Sequence, residues 1–169
     1  MTLAERLLPE LTQQLASTRK VLTAVPDGHN DFVPHEKSML LSRLAGHTAE
    51  LVGFAYFILT RPEINAGSPE DPRKILRMTT RDELLADFEP LAARLLEALK
   101  STSDEAFDET FTFSRQGNII RSGSRYEAYR SMFLDHMIHH RAQLGVYLRL
   151  LNAPVPGTFG PSADEAFTG

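Results

Sequence analysis

The sequence predicts an all-α protein, a four-helix bundle with a Pro/Gly-rich C-terminal tail, in a single domain over residues 1–169. Three observations predict it. Four segments carry apolar residues at steps of three and four, the spacing that aligns one face of an α-helix. Pro or Gly punctuates the joints between them. Two of the segments open on a Ser/Thr-x-x-Glu box, whose hydroxyl and carboxylate each satisfy an otherwise orphaned amide of the first turn.

The first helix runs from Thr2 to about Val25, with Leu3, Leu7, Leu11, Leu15, Thr18, Leu22 and Val25 on one stripe, and stops at Pro26-Asp27-Gly28. Pro34 suits the start of the second, whose stripe is Leu40, Leu44, His47, Leu51, Phe54 and Ile58 and which ends before Pro62. Thr80 and Glu83 form the box that opens the third, where Leu84, Phe88, Leu91, Leu95 and Leu99 are the buried face and Pro90 is expected to kink the rod. Next come Phe107, Phe111 and Phe113, then Gln116-Gly117-Asn118 and Ile119-Ile120; this stretch reads as a short hairpin or an ordered loop, too brief to separate the two. Ser124 and Glu127 open the longest helix, about Arg125 to Leu151, with Tyr129, Phe133, His136, His140, Leu144, Tyr147 and Leu151 in line. Joints of unequal length favour crossover connections. At 100° per residue Leu134, Ile138, Gly145 and Leu148 fall opposite the histidine-bearing stripe. A second apolar side needs cover, so a homodimer packed through this helix is expected, with Gly145 allowing close approach; the alternative cover is the Phe-rich segment.

Composition removes several functions. A chain of 169 residues buries roughly two-thirds of its unfolded surface, enough for a core without staples. With no cysteine there is no thiolate catalysis, iron–sulfur ligation or disulfide framework, and any metal must rest on His, Asp or Glu. A net charge of −4 with scattered Lys and Arg gives no footprint for nucleic acid. The longest apolar run, Leu51 to Leu59, is nine residues against the about 20 of a membrane span, and the N-terminus lacks the basic and apolar regions of a secretion signal. A cytoplasmic protein is expected, with no membrane partner.

Three of the six histidines interrupt apolar stripes. His136 and His140, four apart, project from one helix face close enough to share an ion, and His47 stands where Leu is expected on the second helix. If these stripes face one core, three imidazoles converge. Three separate buried imidazoles each need their own partners, whereas one divalent ion takes a nitrogen from each; the competing reading is a set of hydrogen-bonded core histidines. His139 lies on the flank of the stripe, as a surface or supporting residue, and His29 and His35 fall in a solvated loop. Glu50, three residues after His47, either orients that imidazole, accepts a proton, or is an ion-paired carboxylate at the bundle rim. Arg141 and Gln143 are candidates for the site mouth, with a solvated or dimer-contact role the preferred reading of Arg141. Met137 follows the first histidine where a zinc protease carries its general-base Glu, so peptidase chemistry is disfavoured. There is no Gly-rich phosphate loop and no Gly-x-Ser-x-Gly elbow.

These residues resemble a known family. His136-Met-Ile-His-His140-Arg-Ala-Gln143-Leu, then Val155-Pro156-Gly157 and Gly160-Pro161-Ser162-Ala-Asp164-Glu165, resemble the C-terminal half of the DinB-like proteins, named for damage-inducible expression. Leu44-Ala-Gly-His47 resembles the family's first-ligand helix. The resemblance implies a four-helix bundle, often dimeric, holding a divalent ion, commonly zinc or nickel, on His47, His136 and His140. It also implies kinship with enzymes that transfer or isomerise small-molecule substrates with a low-molecular-weight thiol such as bacillithiol, mycothiol or glutathione. The similarly named translesion polymerase is unrelated.

The resulting expectation is a metal-dependent enzyme, an S-transferase using an external thiol or a hydrolase, with Glu50 supporting the ligands. The alternatives are a non-catalytic metal-binding stress-response protein and a structural helical dimer without metal. The tail, with Phe159 and Asp164, is expected to fold back over the open end of the bundle.

Overall fold

A computed structural model describes residues 1–165. Four long helical rods form its bundle: α1 (Leu3–Ala24), α2 (Leu41–Thr60), α3 (Arg81–Lys100) and a last rod made of α5 (Arg125–Ala128), a π-helical stretch (Tyr129–Leu134) and α6 (Asp135–Leu150). α1 and α2 each pack against both α3 and α6, so the first two helices occupy opposite corners and the chain crosses over between them. Their shared core is fully buried Leu11, Leu22, Leu41, Leu44, Ile58, Leu95 and Leu144.

The fold is not all-α. β1 (Glu63–Ala66), β2 (Thr110–Arg115) and β3 (Asn118–Ser124), with the short α4 (Asp104–Asp108) before β2, add a three-stranded sheet in the order β1-β2-β3. β1 runs parallel to β2, and β2 and β3 form the hairpin that the Phe-rich stretch left undecided. Its two-residue turn, Gln116 and Gly117, has φ of 51° and 82°; two positive φ values match the right-handed twist of the strands. Phe111 is buried against Phe54, their ring centroids 6.5 Å apart, so the sheet caps the flank of α2.

Helix boundaries follow local chemistry. Ser124 and Glu127 form the full reciprocal box, Thr80 caps the Glu83 amide, and Thr2 with Glu5 forms a further box at the start of α1. Pro34 does not start α2, which begins at Leu41 without a side-chain cap; loop carbonyls do that work, Phe32 accepting from the Leu41 amide (2.9 Å) and Asn30 from Ser42 (3.1 Å). Pro90 lies inside α3, which continues to Lys100.

In the last rod the Asp135 amide donates to the Arg130 carbonyl five residues back, a widened turn that breaks the 100° phase assumed from the sequence. The buried face is also broader than one stripe. Leu134 and Leu148, placed on an outer side, are fully buried within the chain, as is Met137 between them. Arg141, seven residues from each, is 2% exposed and is neither solvated nor at a surface: it donates to the Gln14 carbonyl (3.0 Å) and side chain (2.7 Å) and to the Thr18 hydroxyl (3.2 Å) of α1. The tail returns along α6, Asp164 pairing with Arg149 (2.8 Å) and Val155 lying over Gly145. No described helix is long and apolar enough to cross a membrane.

Candidate metal centre

His47 on α2 and His136 and His140 on α6 come together because these two helices are neighbours in the bundle. One ligand-capable nitrogen from each ring lies within 4.8 Å of the other two. The ring centroids of His47 are 5.2 Å from His136 and 4.6 Å from His140.

The partners of the rings fix which nitrogen is free. His47 Nδ1 is 2.6 Å from Glu50 Oε1, His136 Nδ1 is 3.3 Å from the Met132 carbonyl, and His140 Nδ1 is 2.7 Å from Gln143 Oε1. A carboxylate, a carbonyl and an amide oxygen accept only, so each Nδ1 carries the proton and each Nε2 keeps its lone pair. With that assignment of the rings and of the Gln143 amide, His136 and His140 set bare Nε2 atoms 2.8 Å apart. Converging lone pairs in a half-buried site call for a cation, and the donor set fits a divalent ion of borderline softness.

Glu50 is the hinge of this arrangement. It accepts hydrogen bonds from His47 Nδ1–H and twice from Arg43, at 2.6 and 3.2 Å, and its second oxygen accepts the Leu76 amide at 2.7 Å. Arg43 Nη2 also lies 3.2 Å from His47 Nδ1 but has its acceptor in Glu50. Burial would raise the Glu50 pKa; the bonds from His47, Arg43 and the Leu76 amide outweigh it and hold the carboxyl below its ordinary value. With both oxygens engaged, Glu50 orients His47 rather than accepting protons from a substrate. Burial first, then repulsion from His47, pushes His136 below the usual imidazole value. Burial likewise takes His140 down to about 4, against the opposing bond to Gln143. Both rings are therefore neutral, the form that ligates a metal.

The remaining candidates fall as the sequence places them or otherwise. His139, His29 and His35 are exposed, and Gln143 reaches back to His140. Arg141 is the exception, locked into α1. Sequence reasoning missed Arg43, Gly46 and Leu76, which build the support under Glu50. A Cβ at Gly46 would sit 2.6 Å from the Leu76 carbonyl carbon and 2.9 Å from the Arg77 nitrogen, so only glycine lets that backbone reach Glu50. The available signal was the run of small residues Ser42, Gly46, Ala49 and Gly53 at helical spacing, a face of α2 that admits close backbone approach.

The family model of the DinB superfamily matches residues 10–144. The chain belongs to the DinB superfamily. Its relatives include the uncharacterized protein YrdA of Bacillus subtilis (strain 168), 26% identical over 152 residues, covering 88% of this chain and 83% of that one. The crystal structure of a DinB-like protein from Bacillus cereus is similar, with a TM-score of 0.67 at 18% identity, covering 94% of this chain and 98% of the other. That likeness carries the fold: four major helices and the small sheet are a DinB-like architecture.

Proposed function

We propose that this DinB superfamily member is a metal-dependent enzyme that binds one zinc or nickel ion through His47, His136 and His140 and acts on a small molecule, as an S-transferase using an external low-molecular-weight thiol or as a hydrolase. The observation that carries it is the set of three Nδ1 atoms each already engaged by an acceptor, on rings that bring one ligand-capable nitrogen apiece within 4.8 Å of the others. Held by His47, His136 and His140, a divalent ion would supply the acidity that brings a thiol or water toward ionisation at neutral pH. The protein's own part is orientation: Glu50 fixes His47, Gln143 fixes His140, and the Met132 carbonyl fixes His136. The absence of cysteine suits a reaction whose sulfur arrives from outside.

Untagged protein expressed with supplemented metal is expected to carry about one ion per chain, and elemental analysis names the ion. Less than about one-tenth of an ion per chain overturns the site. Turnover of an electrophile with a panel of small thiols is expected to run at least about tenfold faster in holo protein than after chelation. Equal rates favour the non-catalytic metal-binding reading.

A homodimer belongs to the same proposal. With Leu134 and Leu148 covered inside the chain, the support for it is the exposed Val146 and Leu150 of α6. Light scattering is expected to give the mass of two chains, and the mass of one chain overturns it.

A further inference from the structure

The histidine cluster opens on a cavity of about 300 Å³, to which His47 and His136 both contribute. The geometry points to a neutral, apolar group, aryl or branched alkyl, as the part of the substrate that this cavity holds while the substrate's polar end lies at the metal position that His47, His136 and His140 would form. This rests on the metal reading above and goes beyond it by naming the chemistry of the substrate body.

The wall is hydrocarbon where it is free and engaged where it is polar. Leu51, Phe54, Ile75, Phe113 and Met132 supply the apolar surface. Ile75 lines the cavity while 59% exposed, an apolar side chain left facing water where a ligand would cover it. The four remaining polar wall residues already have partners. Glu50 accepts from Arg43, His47 and Leu76. Arg73 clamps Asp71 through two nitrogens, at 2.9 and 2.8 Å, and Lys74 reaches Asp87 at 2.7 Å. The Ser131 hydroxyl donates to the Glu127 carbonyl.

Among the described residues no charged group of the wall lacks a counter-charge. A carboxylate or ammonium on the substrate body would give up hydration against Leu51, Phe54, Phe113 and Met132, where the half-buried charges of Arg73 and Glu50 are already offset by Asp71 and by Arg43. An apolar group loses nothing and gains the burial. The walls are also held in place: Phe54 and Phe113 meet edge to face at 5.5 Å, and the Arg73 guanidinium lies 5.3 Å from the Phe113 centroid. The volume is roughly twice the ~150 Å³ of a dry cavity that takes up benzene, room for a ring and a short linker.

Cobalt-loaded protein titrated with hydroxamates tests this by visible absorption, since the shared head group reports the metal and the tail reports the cavity. Benzohydroxamate is expected to bind at least about tenfold more tightly than acetohydroxamate, and 4-carboxybenzohydroxamate to lose that advantage. In Phe113→Ala the ratio between the first two ligands is expected to fall to within about threefold, with cobalt uptake certifying that the variant is folded. A chain that takes up no cobalt overturns the metal reading and this inference with it. A cobalt-loaded chain that binds acetohydroxamate or the carboxylated ligand as tightly as benzohydroxamate overturns this inference alone.

Discussion

His136→Ala is expected to lower bound metal from about one ion per chain to less than about a tenth, without making the metal-free protein easier to unfold. The two halves of this outcome have one cause. In the metal-free chain the bare Nε2 atoms of His136 and His140 face each other at 2.8 Å, and the Nδ1 bond that His136 makes, at 3.3 Å, is long. Removing His136 therefore takes away a repulsion and a weak bond. With the ion present the balance reverses, because a ligand that binds only the folded state adds about 4 kcal/mol when free metal is about 1,000 times its dissociation constant. For a chain of this size that separates holo from metal-free wild type by roughly 8–16 °C in Tm, and the variant should show no such gap. A histidine kept only for packing gives the opposite pattern: metal-free Tm falls by several degrees on substitution and added metal shifts neither protein.

Acid sharpens the same comparison. Folding lowers the pKa of His136 and His140 below the ordinary 6.5, the latter to about 4, so across that window the unfolded chain holds protons the folded chain does not. Stability present above about pH 6.5 is lost as pH falls through the window. Metal-free wild type should lose Tm between about pH 6.5 and about pH 4 more steeply than His136→Ala; parallel slopes assign the acid sensitivity to other groups.

The helices were legible in the sequence because their signals are local. Leu11, Leu22, Phe88 and Leu95 recur at helical spacing, and Thr80, Ser124 and their partners cap within one turn. The three histidines were legible for the same reason, as polar interruptions of apolar stripes. What was hidden is what depends on distant pairing. β1 is four residues long and exists only because Ile64 finds Phe113 forty-nine positions later, so no periodicity announces it. The charge of Arg141 argues for an outward position, yet three α1 acceptors, the Gln14 carbonyl and side chain and the Thr18 hydroxyl, make its burial tolerable. An unbroken 100° count sends Leu134 and Leu148 to an outer face; the π-helical stretch that ends at Leu134 breaks the count there, and the wide buried face of α6 takes in Leu148. The support of Glu50 was hidden most completely, since residues 76–78 carry no motif at all.

That support sets the second large effect. Residues 76–78 are tied to α2 at three points: the Leu76 amide donates to Glu50, its carbonyl accepts from Arg43 at 3.1 Å, and the Met78 amide donates to the Ser42 carbonyl at 2.9 Å. The strap buries Leu76 and Met78 to 4% and 3% exposure, directly over Gly46. A methyl at position 46 meets backbone atoms, which cannot rotate aside, so Gly46→Ala must lift the strap. Overpacking costs about 1–3 kcal/mol, and each hydrogen bond lost with the strap about 1 kcal/mol, for a Tm loss on the order of 5–15 °C. Metal affinity should fall about 10–100-fold as well, because Glu50 loses a donor and His47 loses its fixed orientation. Gly53→Ala supplies the control on the same helix. Its added Cβ would lie 3.1 Å from Leu91 Cδ2, the mobile end of a side chain that can turn away, while helix propensity gains up to about 1 kcal/mol. Calorimetry and metal titration of the two variants should therefore part clearly, Gly46→Ala weakening both fold and site and Gly53→Ala leaving the metal affinity where it was. Equal Tm and equal affinity in the two would mean that the strap over Gly46 does not hold Glu50 against His47.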